Sequence, residues 1–352
     1  MATSGTVSTT VFNTRKVIDR AFGKCKLSPQ QITSEYIDIA KDLLFLHLST
    51  LVSEGIKLWN VDRIILPLYE REIAVPAPVG VVDMLDCNLR TAQRHTEGTQ
   101  TATEGIVANA FDGNLNTTCT QVTPAGNITL RLTSALSIPI YGILPNVGGS
   151  WDYVVEGSND GTNYTAIITK TAQTVIAGQW LWEDVEGVDD YEYYRLRATG
   201  TTVLDVRELV FQNLPQEIPL YKLNRTDYSN LPNKTRTGRP TQFWWDKQRS
   251  PSIITVWPNP ELQFTFAQLT CYAHRHIQDV GTLTQEIEVP QRWYQSIVSS
   301  LAEELAREIK EVKETLIPIL EAKAMKDRRL AWTGESDGSD IFWRPNISPY
   351  TR

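Results

Sequence analysis

Residues 109–121 read NAFDGNLNTTCTQ, and residues 153–167 read YVVEGSNDGTNYTAI. Each sets an Asp-Gly turn among Asn and Thr, and the second places it between two runs of strand-forming residues, a short-range hairpin signal. From residue 91 to 213 the chain stays rich in Thr, Gly, Asn and Tyr, with short strands at regular turn spacing. That pattern predicts an all-β sandwich. How the flanking segments relate to it decides the architecture.

Upstream, residues 13–55 have helical periodicity. Asn13 can cap a short helix with Val17, Ile18, Ala21 and Phe22 on one side. A second helix presents Tyr36, Ile37, Ala40, Leu43, Leu44, Leu48, Leu51 and Val52 before Gly55 ends it, so an antiparallel pair joined by KLSPQQ is predicted. Between Leu58 and Leu85 the pattern changes to short strands broken by Pro67, Pro76, Pro78 and Gly80.

Downstream of Pro215 the strands lengthen: PTQFWWDKQ, SIITVWP and LQFTFAQLTCYAHRH. A last helical stretch follows Pro290, with Trp293, Ile297, Leu301, Leu305, Ile309, Val312 and Leu316 spaced by four and three. Pro318 is expected to kink or end it. The final residues, 333–352, mix Gly, Ser, Asp and Pro with Ile341, Phe342, Trp343 and Tyr350. So many large apolar groups suit an extended arm buried against a partner, the alternative being an arm folded back on its own domain. Neither outer segment alone supplies both layers of a core, so 1–90 and 214–332 are expected to form one domain interrupted by the sandwich at 91–213.

Composition narrows the function. At 352 residues with a formal net charge of −7, the chain is a poor candidate for gripping nucleic acid through its phosphates. It shows no apolar leader at its start and no run near the roughly 18 apolar residues that span a bilayer. Cys25, Cys87, Cys119 and Cys271 lie far apart with no metal-ligand spacing, and four free thiols are expected. The usual catalytic signatures, G-x-S-x-G, H-E-x-x-H, the Walker A loop and G-x-G-x-x-G, do not occur, and no catalytic residue is assigned.

His47 reads as a helix-face histidine at the edge of the core. His274 and His276, two apart on one strand, could make two metal ligands, but an exposed strand end is the simpler expectation. Residues 233–249 interleave Lys234, Arg236, Arg239, Lys247 and Arg249 with Phe243, Trp244 and Trp245. That mixture serves a protein contact or a single-stranded nucleic-acid platform.

The run from Leu220 to Glu261, with GRPT at 238–241 and WPNP at 257–260, resembles the head-to-tail adaptor (connector) proteins of short-tailed bacteriophages, the podoviruses. So do residues 13–59, 67–90, 289–309 and EAKAMKDRRL at 321–330. Residues 91–213 depart from that family and resemble a discoidin, or F5/8 type C, galactose-binding-like domain. NAFDGNLNTT matches its A-x-D-G loop, SNDGTNY its hairpin, and EYYRLRATG with DVRELVFQN its closing strands. Cys119 stands where that loop usually has an aromatic residue.

The resemblances imply an α+β fold: a helical-bundle adaptor core with strand hairpins, interrupted by an inserted all-β jelly-roll sandwich. They imply a non-enzymatic virion protein, assembled in the host cytoplasm, that forms a dodecameric ring between portal and tail and lets DNA pass without specific binding. The arm residues Ile341, Phe342, Trp343 and Tyr350 would reach the portal or a neighbouring subunit. The hairpin residues Gly238, Arg239, Pro240, Phe243, Trp244, Trp245 and Trp257 would face the tail nozzle protein. The sandwich would touch capsid, tail fibre or glycan. No cofactor is implied, apart from a calcium ion that the loop would hold in calcium-bearing relatives through Asp112, Asn114, Thr117 and Glu208. In the plainer reading, Asp112 and Gly113 only make the turn. The alternative function is a carbohydrate- or calcium-binding sandwich on a helical scaffold.

Overall fold

A computed structural model of the chain describes residues 12–55, 58–248 and 252–335. It is a mixed α+β structure, with more strand than helix. The helices are α1 (Thr14–Lys24), α2 (Ser34–Ser53), the one-turn α3 (Arg225–Ser229), α4 (Gln291–Glu308) and α5 (Ile317–Thr333). The first strands are β1 (Val61–Pro67), β2 (Ala74–Pro76), β3 (Val81–Arg94), β4 (Thr99–Ala102), β5 (Cys119–Thr120), β6 (Asn127–Leu136), β7 (Ile140–Pro145), β8 (Gly149–Ser158) and β9 (Thr165–Val175). The remainder are β10 (Leu181–Asp184), β11 (Tyr191–Ala198), β12 (Asp205–Pro219), β13 (Tyr221–Leu223), β14 (Thr237–Gly238), β15 (Gln242–Asp246), β16 (Ile253–Trp257), β17 (Asn259–Pro260) and β18 (Gln268–Arg275).

The chain divides into two compact units. One comprises Met1–Arg63, Pro78–Leu85 and Tyr272–Arg352, and the other Ile64–Ala77 and Asp86–Cys271. The strand hairpins after residue 214 therefore group with the sandwich, and the helical unit is assembled from the two ends of the chain.

In the helical unit, Asn13 caps α1 by accepting from the Lys16 amide at 3.0 Å, and Thr33 caps α2 through the Tyr36 amide at 3.3 Å. The apolar faces read from the spacing close into one core: Val17, Ile18, Ala21 and Phe22 from α1, Leu44, Leu48 and Leu51 from α2, and Trp293, Ile297, Leu301 and Leu305 from α4. His47 lies at its edge, 3.3 Å from a Glu304 carboxylate oxygen.

The expected single helix to Leu316 needs correction. α4 stops at Glu308, and Ile309 is extended, with φ −91° and ψ 116°. Ile309 and Val312 are nevertheless buried, so the apolar spacing persists on non-helical backbone. Pro318 ends nothing: it sits in the first turn of α5, where its missing N–H has no helical partner to lose.

The other unit contains the sandwich. Its five-stranded sheet runs β4-β6-β11-β8-β9, and opposite it β3, β12, β7 and β10 pair in that order, with β5 on β12. Alternate residues supply the shared core: Ile128 and Leu130, Tyr153 and Val155, Tyr194 and Leu196 from the first sheet, Tyr141 and Phe211 from the second. Tyr194 ties the corner by donating its hydroxyl to the Leu136 carbonyl at 2.5 Å and accepting from the Ile138 amide at 3.1 Å. Gly142 is needed where Trp182 lies flat on β7, because a Cβ there would come within 2.4 Å of the indole.

Two further expectations are corrected here. Cys87 and Cys271 form a disulfide, while Cys25 and Cys119 are free and buried, so the chain does not hold four free thiols. The partners are 184 residues apart and meet because β3 and β18 are neighbours in the sheet, which spacing along the chain cannot show. His274 is also not at an exposed strand end: it is buried, and only His276 is exposed.

Candidate functional site

The Asp112 loop is organised from beneath by a buried ion pair. β12 carries Glu208 inward, fully buried, and β3 ends on Arg94. The Arg94 guanidinium bonds one Glu208 oxygen and donates to the Phe111 carbonyl at 3.2 Å. The other Glu208 oxygen accepts from the Gly113 amide at 2.9 Å. Gly113 has φ +76°, a left-handed conformation that only glycine adopts without cost, so the Asp-Gly pair is what aims this N–H at Glu208. Arg94 also lies 4.3 Å over the Phe266 ring, and that ring is edge-on to both Tyr69 and Trp180.

Burial pushes the Glu208 carboxyl up to about 8, and Arg94 opposes that rise. The same burial pulls the Arg94 guanidinium down, with Glu208 opposing. Burial thus disfavours both charges, and each offsets part of the cost of the other.

The turn above is tied to itself. Asp112 accepts from the Asn114 amide at 2.8 Å and from the Thr117 hydroxyl at 2.9 Å, while Asn114 accepts from the Asn116 amide at 3.1 Å. Asp112, Asn114 and Thr117 are thus brought together, and Glu208 is joined to them through Gly113. Among the described residues no group of three or more His, Cys, Asp or Glu is placed to hold a metal ion. Glu208 already faces a cation, Arg94. Cys119 points into the core and is fully buried, so it gives the loop no outward platform. The second loop is similarly closed: Asp160 accepts from the Thr162 and Asn163 amides, both at 2.7 Å, and these bonds hold its carboxyl well below the usual carboxylate range.

The hairpin residues separate by face. Phe243 and Trp245 are buried, leaving no side-chain surface for a partner, and Pro240 is buried too. Trp244 is on the opposite face, stacked on Tyr228 at 4.7 Å, with Lys234 5.6 Å from the same ring. Trp257 donates its indole N–H to the Asn233 carbonyl at 2.8 Å. Thr237 and Gly238 pair with Asn259 and Pro260, so the GRPT and WPNP runs lie side by side, with Arg239 exposed. The arm residues Ile341, Phe342, Trp343 and Tyr350 lie outside the described residues.

Sequence reasoning missed Arg94, and nothing in its polar neighbourhood marks it. It also missed the pair Trp180 and Trp182, stacked at 4.9 Å, with the Trp180 indole donating to the Tyr69 hydroxyl at 2.6 Å. The aromatic run QWLWED was the available signal.

No protein-family model matches the chain, and no curated protein matches it. Solved structures of carbohydrate-binding β-sandwich modules are similar to the sandwich. The family 32 module of NanJ from Clostridium perfringens, in complex with galactose, is 20% identical with a TM-score of 0.31, covering 36% of this chain and 100% of that one. CBM62 from Clostridium thermocellum Xyl5A is 22% identical with a TM-score of 0.32, covering 35% and 98%. The CBM32 of AlyQ, in complex with 4,5-unsaturated mannuronic acid, is 16% identical with a TM-score of 0.29, covering 34% and 97%. These likenesses assign neither ligand nor site to the present chain.

Proposed function

We propose that the chain is a non-catalytic assembly protein in which an inserted β-sandwich, acting as a binding module, is mounted on a helical unit. The helical unit would be the subunit of a head-to-tail adaptor ring in a virion. The observation that supports this most is the discontinuity of the helical unit: α1 and α2 complete their core only with α4 and α5 from the far end of the chain. A module inserted in this way can be added or lost without rewriting the unit that holds it. The pairing of GRPT with WPNP is a second support, since these are the most specific points of the adaptor resemblance.

In this reading the ring needs two heterologous faces per subunit, which the helical unit would supply. Arg239, Trp244 and Trp257 would meet the tail protein, and the C-terminal arm the portal. The net charge of −7 suits a channel that DNA slides past, because like charge discourages sticking. The sandwich would contact capsid, tail fibre or glycan.

Electron microscopy of the full chain, alone and mixed with a portal ring, tests the reading. A chain that never joins a portal ring would overturn it. Truncation after Glu335 should abolish portal binding without shifting Tm, because Glu335, which is bonded to α4, is retained. Undiminished portal binding by the truncated chain would remove the arm from the proposal.

A second reading makes the sandwich the functional part, a carbohydrate-binding module with the helices as scaffold. It is favoured by the sandwich having a complete core of its own, with both Asp-Gly loops already ordered by internal bonds. It expects a monomer that binds glycan in an array and ignores portal.

A further inference from the structure

Helices α2 and α5 both pack on α4, and each keeps an exposed outer face. On α2, Glu35, Asp38, Asp42, Phe45 and Ser49 are exposed and recur at intervals of three and four, so they form one stripe. Leu46 flanks it and is also exposed, while Lys41 is half-buried and lies off it. On α5, Ile319, Ala322, Lys326 and Arg329 recur in the same way, flanked by exposed Met325 and Leu330. Large apolar side chains left in water on two helices of one unit mark an interaction surface.

The charges sort by helix, acid on α2 and base on α5. Lys323 is held by Asp327 at 2.8 Å and Arg328 by Glu54, whereas Asp38, Asp42, Lys326 and Arg329 form no ion pair among the described residues. They also sort along each helix: α2 runs from acid to apolar, and α5 from apolar to base. Laid antiparallel, the two stripes match position for position. Asp38 falls opposite Arg329, Asp42 opposite Lys326, and the large Phe45 opposite the small Ala322. The rise from Asp38 to Phe45 is about 10 Å, as is that from Ala322 to Arg329. Both stripes alternate steps of three and four, the spacing that lets two helices pack along a seam.

The match cannot be made within one chain. Arg328 pairs with Glu54, so the C-terminal end of α5 lies at the C-terminal end of α2, about 24 Å along that helix from Asp38.

We propose that the outer face of α2 in one copy docks antiparallel on the outer face of α5 in a second copy. The two faces differ, so the contact is heterologous and repeats from copy to copy. The inference deepens the ring reading above and rests on it for closure of the rotation, while the pairing itself is read from the helical unit.

Sedimentation velocity of the full chain over a concentration series in dilute salt tests the pairing. Two variants reverse one face each: Asp38→Lys with Asp42→Lys, and Lys326→Glu with Arg329→Glu. All four positions are exposed, so the fold should survive. Each variant alone is expected to self-associate roughly tenfold more weakly than the wild type, because like charges then face each other. An equal mixture of the two should recover association, since acid again meets base. Both variants remain net negative, so bulk attraction does not account for such recovery. A wild type that stays monomeric throughout, variants that associate as it does, or a mixture no stronger than its parts would overturn the pairing. Adding a portal ring separates this inference from the ring reading. Portal rings that seat both variants as well as the wild type would overturn the pairing and leave the ring standing. Recovery on mixing, with no portal binding by the wild type, would overturn the ring and support the pairing.

Discussion

Trp293→Ala is expected to destabilise the helical unit by about 3–5 kcal/mol, the usual range for deleting a buried indole. Trp293 is 1% exposed, on the face of α4 that meets α1 and α2, and its ring meets Trp332 of α5 at 6.0 Å in a T-shaped contact. Its N–H also donates to Glu335, whose carboxylate is nearly buried. Alanine therefore opens a cavity among three helices and leaves that carboxylate with Arg292 alone. Trp293→Phe keeps most of the packing and removes the bond to a charged acceptor, worth about 1.5–3 kcal/mol. Loss of helical circular dichroism in urea reads both, and the alanine variant should have the lower midpoint. Midpoints equal to wild type would show that the core does not depend on this residue.

The helix faces were legible because burial on a helix repeats every three or four residues, and Val17 to Phe22 and Trp293 to Leu305 keep that spacing. The end of α4 was not legible for the same reason. Ile309 and Val312 keep the spacing because they stay in the core, though the backbone that carries them is extended. Pro318 is compatible with the end of one helix or the start of another, and only the chain's path decides.

In β15, alternation shows that Phe243 and Trp245 share a face and that Trp244 takes the other. It does not say which face is covered, and an aromatic pair read as tail-facing turns out to be core. Long-range partners are hidden altogether. Arg94 meets Glu208 across 114 positions and Cys87 meets Cys271 across 184, each because strands distant in sequence are neighbours in a sheet. The Asp-Gly turns were readable as turns. What Glu208 does beneath the first of them depends on a residue with no sequence mark.

Above about pH 8, Arg94→Met should cost the sandwich about 3–5 kcal/mol, because there it strips the partner from a fully buried carboxyl that would otherwise be ionised. The loss should depend on pH with a definite sign. Glu208 has a folded pKa of about 8, raised from 4.5, so the folded state binds its proton more tightly than the unfolded state. Its contribution is therefore fully present below about pH 4.5 and is lost as pH rises through about 8. Arg94 limits that loss in the wild type by favouring the charged carboxylate. Without Arg94 the carboxyl moves further up, so the decline in Tm that begins near pH 5 and levels off past pH 8 in the wild type should continue beyond pH 8, an extra slope on the alkaline side. Adding Glu208→Gln to Arg94→Met removes the titrating group, so this double variant should recover stability at pH 8 and lose the extra slope. A single variant that melts like the wild type at both pH values would mean that the pair does not hold the loop. Calcium bears on the same carboxylate from the other side: if the Asp112 turn also recruits an ion, added calcium should raise the Tm of Arg94→Met more than that of the wild type, since only in the variant is Glu208 without its internal cation.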